Sequence, residues 1–173
     1  MQYNVAQLLK EPTGATRRVG VEGDLSVSGG LKAGCQGNVE FVRTHQGLLV
    51  RGMVDANVTT TCSRCLNDFA SLSPVEVEEE YFPLVDVNTG RRLDLPWDYE
   101  GTIIDTTHVL DLTELLRQCT LAAQPIKPLC QQDCQGLCQE CGADLNKENC
   151  VCSGAAIDPR WSALAALLDQ SET

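Results

Sequence analysis

Eight of the ten cysteines follow a spacing that can hold metal ions. Cys62 and Cys65 stand in Cys-Ser-Arg-Cys, and six more lie within 23 residues near the C-terminus, at Cys130, Cys134, Cys138, Cys141, Cys150 and Cys152. A structural zinc site takes four thiolate or imidazole ligands in a tetrahedron, and a Cys-x2-Cys turn supplies two of them. The pattern therefore predicts structural zinc, one or two ions, with disulfides or an iron–sulfur cluster as the alternatives.

The segment that carries the six C-terminal cysteines has too few apolar residues to fold by burial alone. Between Lys127 and Gly154 the large apolar residues are Leu129, Leu137, Leu145 and Val151. Ordering about 25 residues costs more conformational entropy than these side chains can offset. Structural zinc contributes roughly 10–16 kcal/mol to the folding of small peptides at neutral pH. We therefore expect this lobe to depend on metal.

The eight cysteines can be divided between metal ions in two ways. In the first, Cys138 and Cys141 close a local site with Cys150 and Cys152, while Cys130 and Cys134 reach back to Cys62 and Cys65. That long-range site would fasten the C-terminal lobe to the strand that ends at Cys62. In the second, one zinc takes four of the six C-terminal cysteines, and Cys62 and Cys65 remain a free dithiol.

Strands must position the first cysteine pair. Residues from Gly47 to Cys62 alternate between apolar and polar, which predicts a half-buried strand with Cys62 in phase with its apolar face. Further strands are predicted at Val39–Thr44, at Val75–Phe82 and roughly at Arg17–Leu25. Short turns between them imply an antiparallel meander, with Cys62 and Cys65 at a hairpin tip. A turn at Asn88-Thr89-Gly90 ends this part of the chain.

Helices are predicted after the strands. Leucines and alanines recur at helical spacing from Asp111 to Pro125, and Asp111 with Glu114 reads as a capping box. Cys119 lies on the apolar face of this helix, so we interpret it as a core residue, and Cys35 as unpaired. Asp158-Pro159 begins a short terminal helix anchored by Trp161.

The predicted fold class is α+β: an antiparallel β-sheet meander or partial barrel with a packed amphipathic helix, a small C-terminal zinc-binding lobe and a short terminal helix. The predicted domains are a core at residues 1–126, a cysteine-rich zinc lobe at 127–154 and a C-terminal helix at 155–173. A chain of 173 residues has room for about one domain with a small appendage.

Charge is concentrated in the middle of the chain. The net charge is −11, and the stretch from Glu76 to Glu114 holds eleven acidic and two basic residues. This stretch is either a solvated face or a surface for a basic protein partner. The N-terminal residues lack the features of a signal peptide, and no apolar run approaches a bilayer span. We expect a cytoplasmic protein with reduced thiols and no membrane contact.

Several motifs resemble the bacterial YceD family, also named large ribosomal RNA subunit accumulation proteins. They are Asn4-Val5-Ala6-Gln7-Leu8-Leu9-Lys10-Glu11-Pro12 with Gly14, Thr61-Cys62-Ser63-Arg64-Cys65-Leu66, Pro125-Ile126-Lys127-Pro128-Leu129-Cys130, Cys134-Gln135-Gly136-Leu137-Cys138, Cys141-Gly142-Ala143-Asp144-Leu145-Asn146 and Asp158-Pro159-Arg160-Trp161. The resemblance covers almost the whole chain. It implies a non-enzymatic factor in ribosome biogenesis that is needed for normal levels or processing of large-subunit ribosomal RNA.

The acidic balance argues against a direct RNA clamp, because phosphate affinity comes mostly from Lys and Arg. Five arginines in the first half could form a modest positive face: Arg17, Arg18, Arg43, Arg51 and Arg64. We therefore expect binding to a basic ribosomal or ribosome-assembly protein, with an indirect or weak contact to ribosomal RNA and no small-molecule substrate.

Three alternatives remain. A zinc hydrolase or deaminase needs an open coordination position and a base, but the two histidines, His45 and His108, lie in neither an HExxH nor an HxE context. We therefore expect no enzymatic activity. A CxxC thiol redox protein would use Cys62 and Cys65, with Arg64 lowering a thiol pKa. A zinc-dependent protein-interaction adaptor would use the lobe as a docking module.

Overall fold

The computed structural model describes residues 1–27, 32–95, 102–152 and 160. Within these ranges the chain forms seven strands and two helices. In chain order they are β1 (Gln2–Asn4), α1 (Ala6–Lys10), β2 (Thr16–Ser26), β3 (Lys32–Arg43), β4 (Leu48–Thr61), β5 (Asp68–Pro83), β6 (Thr102–Ile104), β7 (Val109–Asp111) and α2 (Thr113–Ala122). Neither helix in the described ranges is long and apolar enough to cross a membrane.

The main sheet has five strands in the order β2-β3-β4-β5-β6. Neighbouring strands from β2 to β5 are antiparallel, and β6 joins β5 in parallel. Strand β1 forms a separate antiparallel pair with β7. The sheet curls into a half-barrel, and α2 packs inside the curl against both β2 and β5. The predicted α+β class with an antiparallel meander is confirmed.

Alternation along β4 shows why one face of the sheet is buried. Val50, Val54, Ala56 and Val58 are each at most 2% exposed, while the residues on the opposite face, Arg51, Met53, Asp55 and Asn57, are exposed. Strand β5 follows the same rule, with Val75, Val77 and Tyr81 inside. The buried faces of the strands meet leucines of α1 and α2 in one core. Alternation therefore identified the inner face of both strands correctly.

Glycines allow the middle strands to approach closely. A Cβ at Gly37 would lie 2.6 Å from the carbonyl oxygen of Met53, and one at Gly52 would lie 2.5 Å from that of Asn38. Both distances are shorter than any side chain tolerates, so these positions in β3 and β4 require glycine. Glycines within strands mark such close approaches and bends. Strand β3 starts at Lys32, seven residues before the predicted start at Val39, and so includes Gly37.

The sequence predicted a capping box of Asp111 and Glu114 at the start of α2, and this prediction is wrong. Asp111 accepts a hydrogen bond from the backbone N–H of Thr113 at 2.9 Å, but Glu114 binds Arg117 one turn later at 2.6 Å instead of returning to the cap. A carboxylate that is already paired with a guanidinium gains little from a hydrogen bond to the backbone. The predicted terminal helix, including Asp158, Pro159 and Trp161, lies outside the described residues.

Phe41 is the most informative core position to test. Its ring is fully buried and meets Tyr3 edge to face, with ring centroids 5.5 Å apart and an interplanar angle of 77°. We expect Phe41→Ala to lower the free energy of unfolding by about 3–5 kcal/mol through lost burial and a cavity. The matched control is Leu72→Ala, since Leu72 is 68% exposed on β5. Its effect should stay within about 0.5 kcal/mol in a denaturant titration; equal losses would contradict this core.

Candidate metal centres

A tight turn between β4 and β5 presents the first cysteine pair. Strand β4 ends at Thr61 and β5 begins at Asp68, so Cys62 and Cys65 lie at the hairpin tip, as predicted. The N–H of Cys62 donates to the carbonyl of Asn67 at 2.9 Å, and the N–H of Leu66 donates to the carbonyl of Cys62 at 3.0 Å. Leu66 has a φ of 58°, a left-handed conformation that few non-glycine residues adopt. The turn thereby directs both sulfur atoms to one side.

Cys130 and Cys134 meet this hairpin tip from the distant C-terminal segment. The Sγ atoms of Cys62 and Cys134 are 3.8 Å apart, and those of Cys65 and Cys130 are 3.6 Å apart. All four sulfurs lie within 4.8 Å of one another. Cys62, Cys65 and Cys134 are at most 3% exposed, with Phe69 and Leu129 packed around them. We call this group the clamp site.

Hydrogen bonds outside the clamp site also join the hairpin tip to the C-terminal segment. Ser63 donates twice to the carbonyl of Pro128, through its N–H at 2.8 Å and its hydroxyl at 2.9 Å. The guanidinium of Arg64 donates to the carbonyl of Cys134 at 2.8 Å. Gly136, with a φ of 76°, passes so close to Arg64 that a Cβ there would lie 3.2 Å from its carbonyl oxygen. The two segments are therefore shaped to fit each other.

The second group is local to the C-terminal segment and contains Cys138, Cys141, Cys150 and Cys152. The sulfur of Cys150 lies 3.5 Å from that of Cys141 and 3.4 Å from that of Cys138. After the second cysteine of the turn, Gly142 adopts a φ of 74°, and its N–H donates to the carbonyl of Cys138 at 3.0 Å. We call this group the lobe site. Both groups follow the two-site division.

The donor set and the distances fit one tetrahedral ion in each group. With metal–sulfur bonds of about 2.3 Å, tetrahedral geometry places sulfur atoms about 3.8 Å apart. The closest sulfur pairs at 3.4–3.8 Å are near this value and well beyond the disulfide length of about 2.05 Å. All ten cysteines are free. Four thiolates would complete the tetrahedron of an ion held in either group.

Backbone N–H groups lower the pKa of the first cysteine in each Cys-x2-Cys turn. The pKa of Cys62 falls to about 6, chiefly through the backbone N–H of Cys65. The pKa of Cys138 also falls to about 6, chiefly through the backbone N–H of Cys141. Hydrogen bonds to a thiolate stabilise its charged form. Each turn therefore favours the ionised sulfur that a metal ion requires.

The remaining cysteines and the histidines lie apart from both groups. Cys35 is buried in the sheet, Cys119 packs against the same core, and burial raises the pKa of both thiols. This agrees with the interpretation of Cys119 as a core residue and of Cys35 as unpaired. His45 is exposed at the β3–β4 turn, and His108 shapes the turn before β7 with a φ of 60°. Neither histidine joins a metal-binding group among the described residues.

Sequence reasoning missed two polar residues that contact the clamp site and a third that binds both of them. Asn67 donates to the sulfur of Cys65 and Asn146 to that of Cys134, each at 3.4 Å. Asp144 binds both amides at 2.7 Å. Asp144 and Asn146 do occur in one of the family-like motifs quoted above, which was the only signal available. Their role depends on a contact across 77 residues of sequence, between Asn67 and Asp144.

Fold and site together define a class: an α+β protein with a curled sheet and two groups of four cysteines placed at metal-binding distance. Comparison with known families identifies the family within this class. Residues 50–168 match the family described as "Large ribosomal RNA subunit accumulation protein YceD". The chain belongs to this family, and the matched region includes both cysteine groups.

Several relatives are similar to the chain. An uncharacterized protein of Mycobacterium tuberculosis (strain H37Rv) is 32% identical over 123 residues, which cover 71% of this chain and 56% of that protein. An uncharacterized protein of Mycobacterium leprae is 29% identical over 124 residues, covering 71% of this chain and 54% of the relative.

A third relative comes from a plant. The Arabidopsis thaliana protein called "Large ribosomal RNA subunit accumulation protein YCED homolog 1, chloroplastic" is 25% identical over 159 residues, covering 79% of this chain and 49% of the relative. The chain thus spans about half the length of these relatives. No solved structure gives a significant match.

Proposed function

We propose that this protein is a non-enzymatic accessory factor in ribosome biogenesis that supports the accumulation or processing of large-subunit ribosomal RNA in the cytoplasm. The observation that carries the proposal is the family match across residues 50–168. The Arabidopsis relative has the same term in its name. Free thiols in all ten cysteines favour a reducing compartment.

We further propose that both cysteine groups bind zinc and that the zinc is structural. Sets of four thiolates are typical of structural zinc, whereas catalytic zinc keeps a position for water. The same closure supports a non-enzymatic role. Cys62 and Cys65 are 0% and 3% exposed, so their sulfurs are inaccessible to a protein disulfide, which argues against the thiol redox alternative.

The outer face of the sheet supports the proposal of a basic protein partner. Glu76 and Glu78 point outward from β5, and neither forms an ion pair with another described residue. On the same face Arg18 and Arg51 both bind Glu40, at 3.3 and 2.8 Å. Glu40 offsets one of these two positive charges, so the five side chains together hold three carboxylates and two guanidiniums, a net charge of −1, and Glu76 and Glu78 remain available. Carboxylates in this state attract basic partners and steer their association.

The other arginines of the first half also donate hydrogen bonds within the chain. Arg17 donates to the carbonyl of Asn4 at 3.4 Å, Arg43 to that of Gly47 at 2.8 Å, and Arg64 to that of Cys134 at 2.8 Å. Phosphate contacts would compete with these bonds. This supports an indirect or weak contact with ribosomal RNA.

Affinity capture at moderate salt tests the function. The protein is tagged, and the bound protein and RNA are both identified. We expect large-subunit assembly intermediates with at least one basic ribosomal or assembly protein. Deletion of the gene should lower the ratio of large- to small-subunit ribosomal RNA, and the tagged protein should restore it. An unchanged ratio together with no ribosomal material in the capture would contradict the proposal.

Charge reversal on β5 tests the proposed partner surface. We expect Glu76→Lys combined with Glu78→Lys to weaken binding of the captured basic protein by about tenfold and to reduce its salt dependence. The matched control reverses two exposed acids of the C-terminal segment, Asp133→Lys with Glu148→Lys, and keeps the same net charge. Titrations at low and moderate salt measure both. Equal weakening in the two variants would show that net charge, and not this face, determines binding.

A further inference from the structure

The carboxylate of Asp144 connects the hairpin tip with the C-terminal segment. One carboxylate oxygen accepts the side-chain amide of Asn67 at 2.7 Å, and the other accepts the side-chain amide of Asn146 at 2.7 Å. The second oxygen also accepts the backbone N–H of Asn146 at 3.0 Å, and Lys147 lies 3.3 Å from the first. These bonds hold the pKa of Asp144 well below its usual range, the amide of Asn146 contributing most.

Each asparagine amide also reaches a sulfur of the clamp site. Asn67 lies on the hairpin tip, and its Nδ2 is 3.4 Å from the sulfur of Cys65. Asn146 lies in the C-terminal segment, and its Nδ2 is 3.4 Å from the sulfur of Cys134. An amide has two N–H donors, so each can serve the carboxylate and a sulfur together. Asp144 thus aims two donors at thiolates that come from opposite sides of the clamp site.

The lobe site, in turn, fixes the position of Asp144. Asp144 lies in the loop between Cys141 and Cys150, three residues after Cys141. The carbonyl of the preceding residue, Ala143, accepts the N–H of Cys138 at 2.8 Å, and Asp144 forms an isolated β-bridge with Leu137. Its own carbonyl accepts the N–H groups of Lys147 and Glu148, both at 2.9 Å. The closed lobe site therefore fixes the position of the Asp144 carboxylate.

We propose that Asp144, acting through Asn67 and Asn146, couples the two sites, so that metal in the lobe site tightens metal binding at the clamp site. This inference rests on the proposal that both cysteine groups hold zinc. Groups that hydrogen-bond to metal ligands orient them and tune the metal, and their loss typically costs about 10–100-fold in metal affinity. Coupling between binding equilibria is reciprocal, so the clamp site tightens the lobe site by the same factor.

The test measures zinc release from each site of the full chain separately. The zinc-loaded protein is equilibrated with a chelating dye at a series of concentrations, and its cysteines are then alkylated and located by mass spectrometry. For Asp144→Ala we expect zinc affinity at the clamp site to fall by about tenfold or more, read as alkylation of Cys62, Cys65, Cys130 and Cys134 at a lower dye concentration. The charge-matched control, Asp133→Ala, should leave the clamp site unchanged.

A variant outside the lobe keeps the test decisive even if Asp144→Ala disturbs the lobe as a whole. Asn67 lies on the hairpin, so Asn67→Ala leaves the lobe intact. Its control is Asn57→Ala, at an exposed position of β4. If Asn67 and Asp144 act through the same hydrogen bond, the combination of Asn67→Ala with Asp144→Ala should weaken zinc binding at the clamp site by less than the sum of the two single effects. Fully additive effects, or a clamp site that is indifferent to both changes, would overturn the coupling.

The last experiment removes the lobe site. Cys150→Ser with Cys152→Ser should loosen zinc at the clamp site by a similar factor when Asp144 is present, and by less in the Asp144→Ala background. Equal loosening in both backgrounds would overturn the role of Asp144. A wild-type chain that holds no zinc would contradict the metal proposal and this inference together, whereas two zinc ions with independent release would contradict the coupling alone.

Discussion

Cys62→Ser combined with Cys65→Ser is expected to remove one of two zinc ions and to release the C-terminal segment from the sheet. The pair supplies half of the ligands of the clamp site, and two remaining thiols cannot complete a tetrahedron. The core sheet should survive, because its buried residues lie on strands and helices that do not depend on these sulfurs.

The hydrogen bonds that Ser63 and Arg64 donate across the same contact should then be lost as well. Hydrogen exchange followed by mass spectrometry measures this change. We expect residues 62–67 and 128–136 to lose protection, while β2, β3 and most of β4 keep theirs. The matched control is Cys35→Ser with Cys119→Ser, which changes two thiols outside both sites. Full zinc content and unchanged protection in the Cys62, Cys65 variant would show that the hairpin does not fasten the lobe.

Removal of all metal should unfold residues 127–152 and leave the sheet folded. Within these residues, all of which the structure describes, only Cys134 and Gly136 are buried. Cys134 owes its burial to the clamp site itself. The segment has no other core, so the metal contribution, about 10–16 kcal/mol per structural zinc in small peptides, dominates its folding.

The experiment treats the reduced protein with an excess of a strong chelator at neutral pH. Backbone amides of the segment should exchange at the rate of unfolded chain, and those of β3 and β4 should stay protected. Added zinc should restore protection without a denaturation step. Protection of residues 127–152 that persists in metal-free protein would contradict the role assigned to metal in this lobe.

The parts of the fold that sequence predicted were those with a strong local signal. Strand β4 combines period-two alternation with a turn motif at its end, and the structure places it within one residue of the predicted range. The spacing of the cysteines gave the two-site division as one of two possibilities, because short loops restrict which of the C-terminal sulfurs can meet, and the structure agrees with that division. In both cases a local pattern limits the long-range geometry.

The parts that sequence missed depend on contacts between distant residues. The N-terminal half of β3 contains Gly34 and Gly37, which local propensity assigns to a loop, but the close approach of β4 requires glycine at position 37. Strands β1 and β7 are three residues each and exist through their mutual pairing. The connection from Asn67 to Asp144 has no periodic or compositional signature, because it forms only after the lobe is placed on the hairpin.

Native mass spectrometry of the freshly purified, reduced chain tests the central claim most directly. The intact mass should equal that of the polypeptide plus two zinc ions, one for each group of four cysteines. One zinc should remain when Cys62 and Cys65 are replaced by serine, and one when Cys138 and Cys141 are replaced. A wild-type mass without two metal ions, or one reduced by the hydrogens lost in disulfides, would contradict the two metal centres.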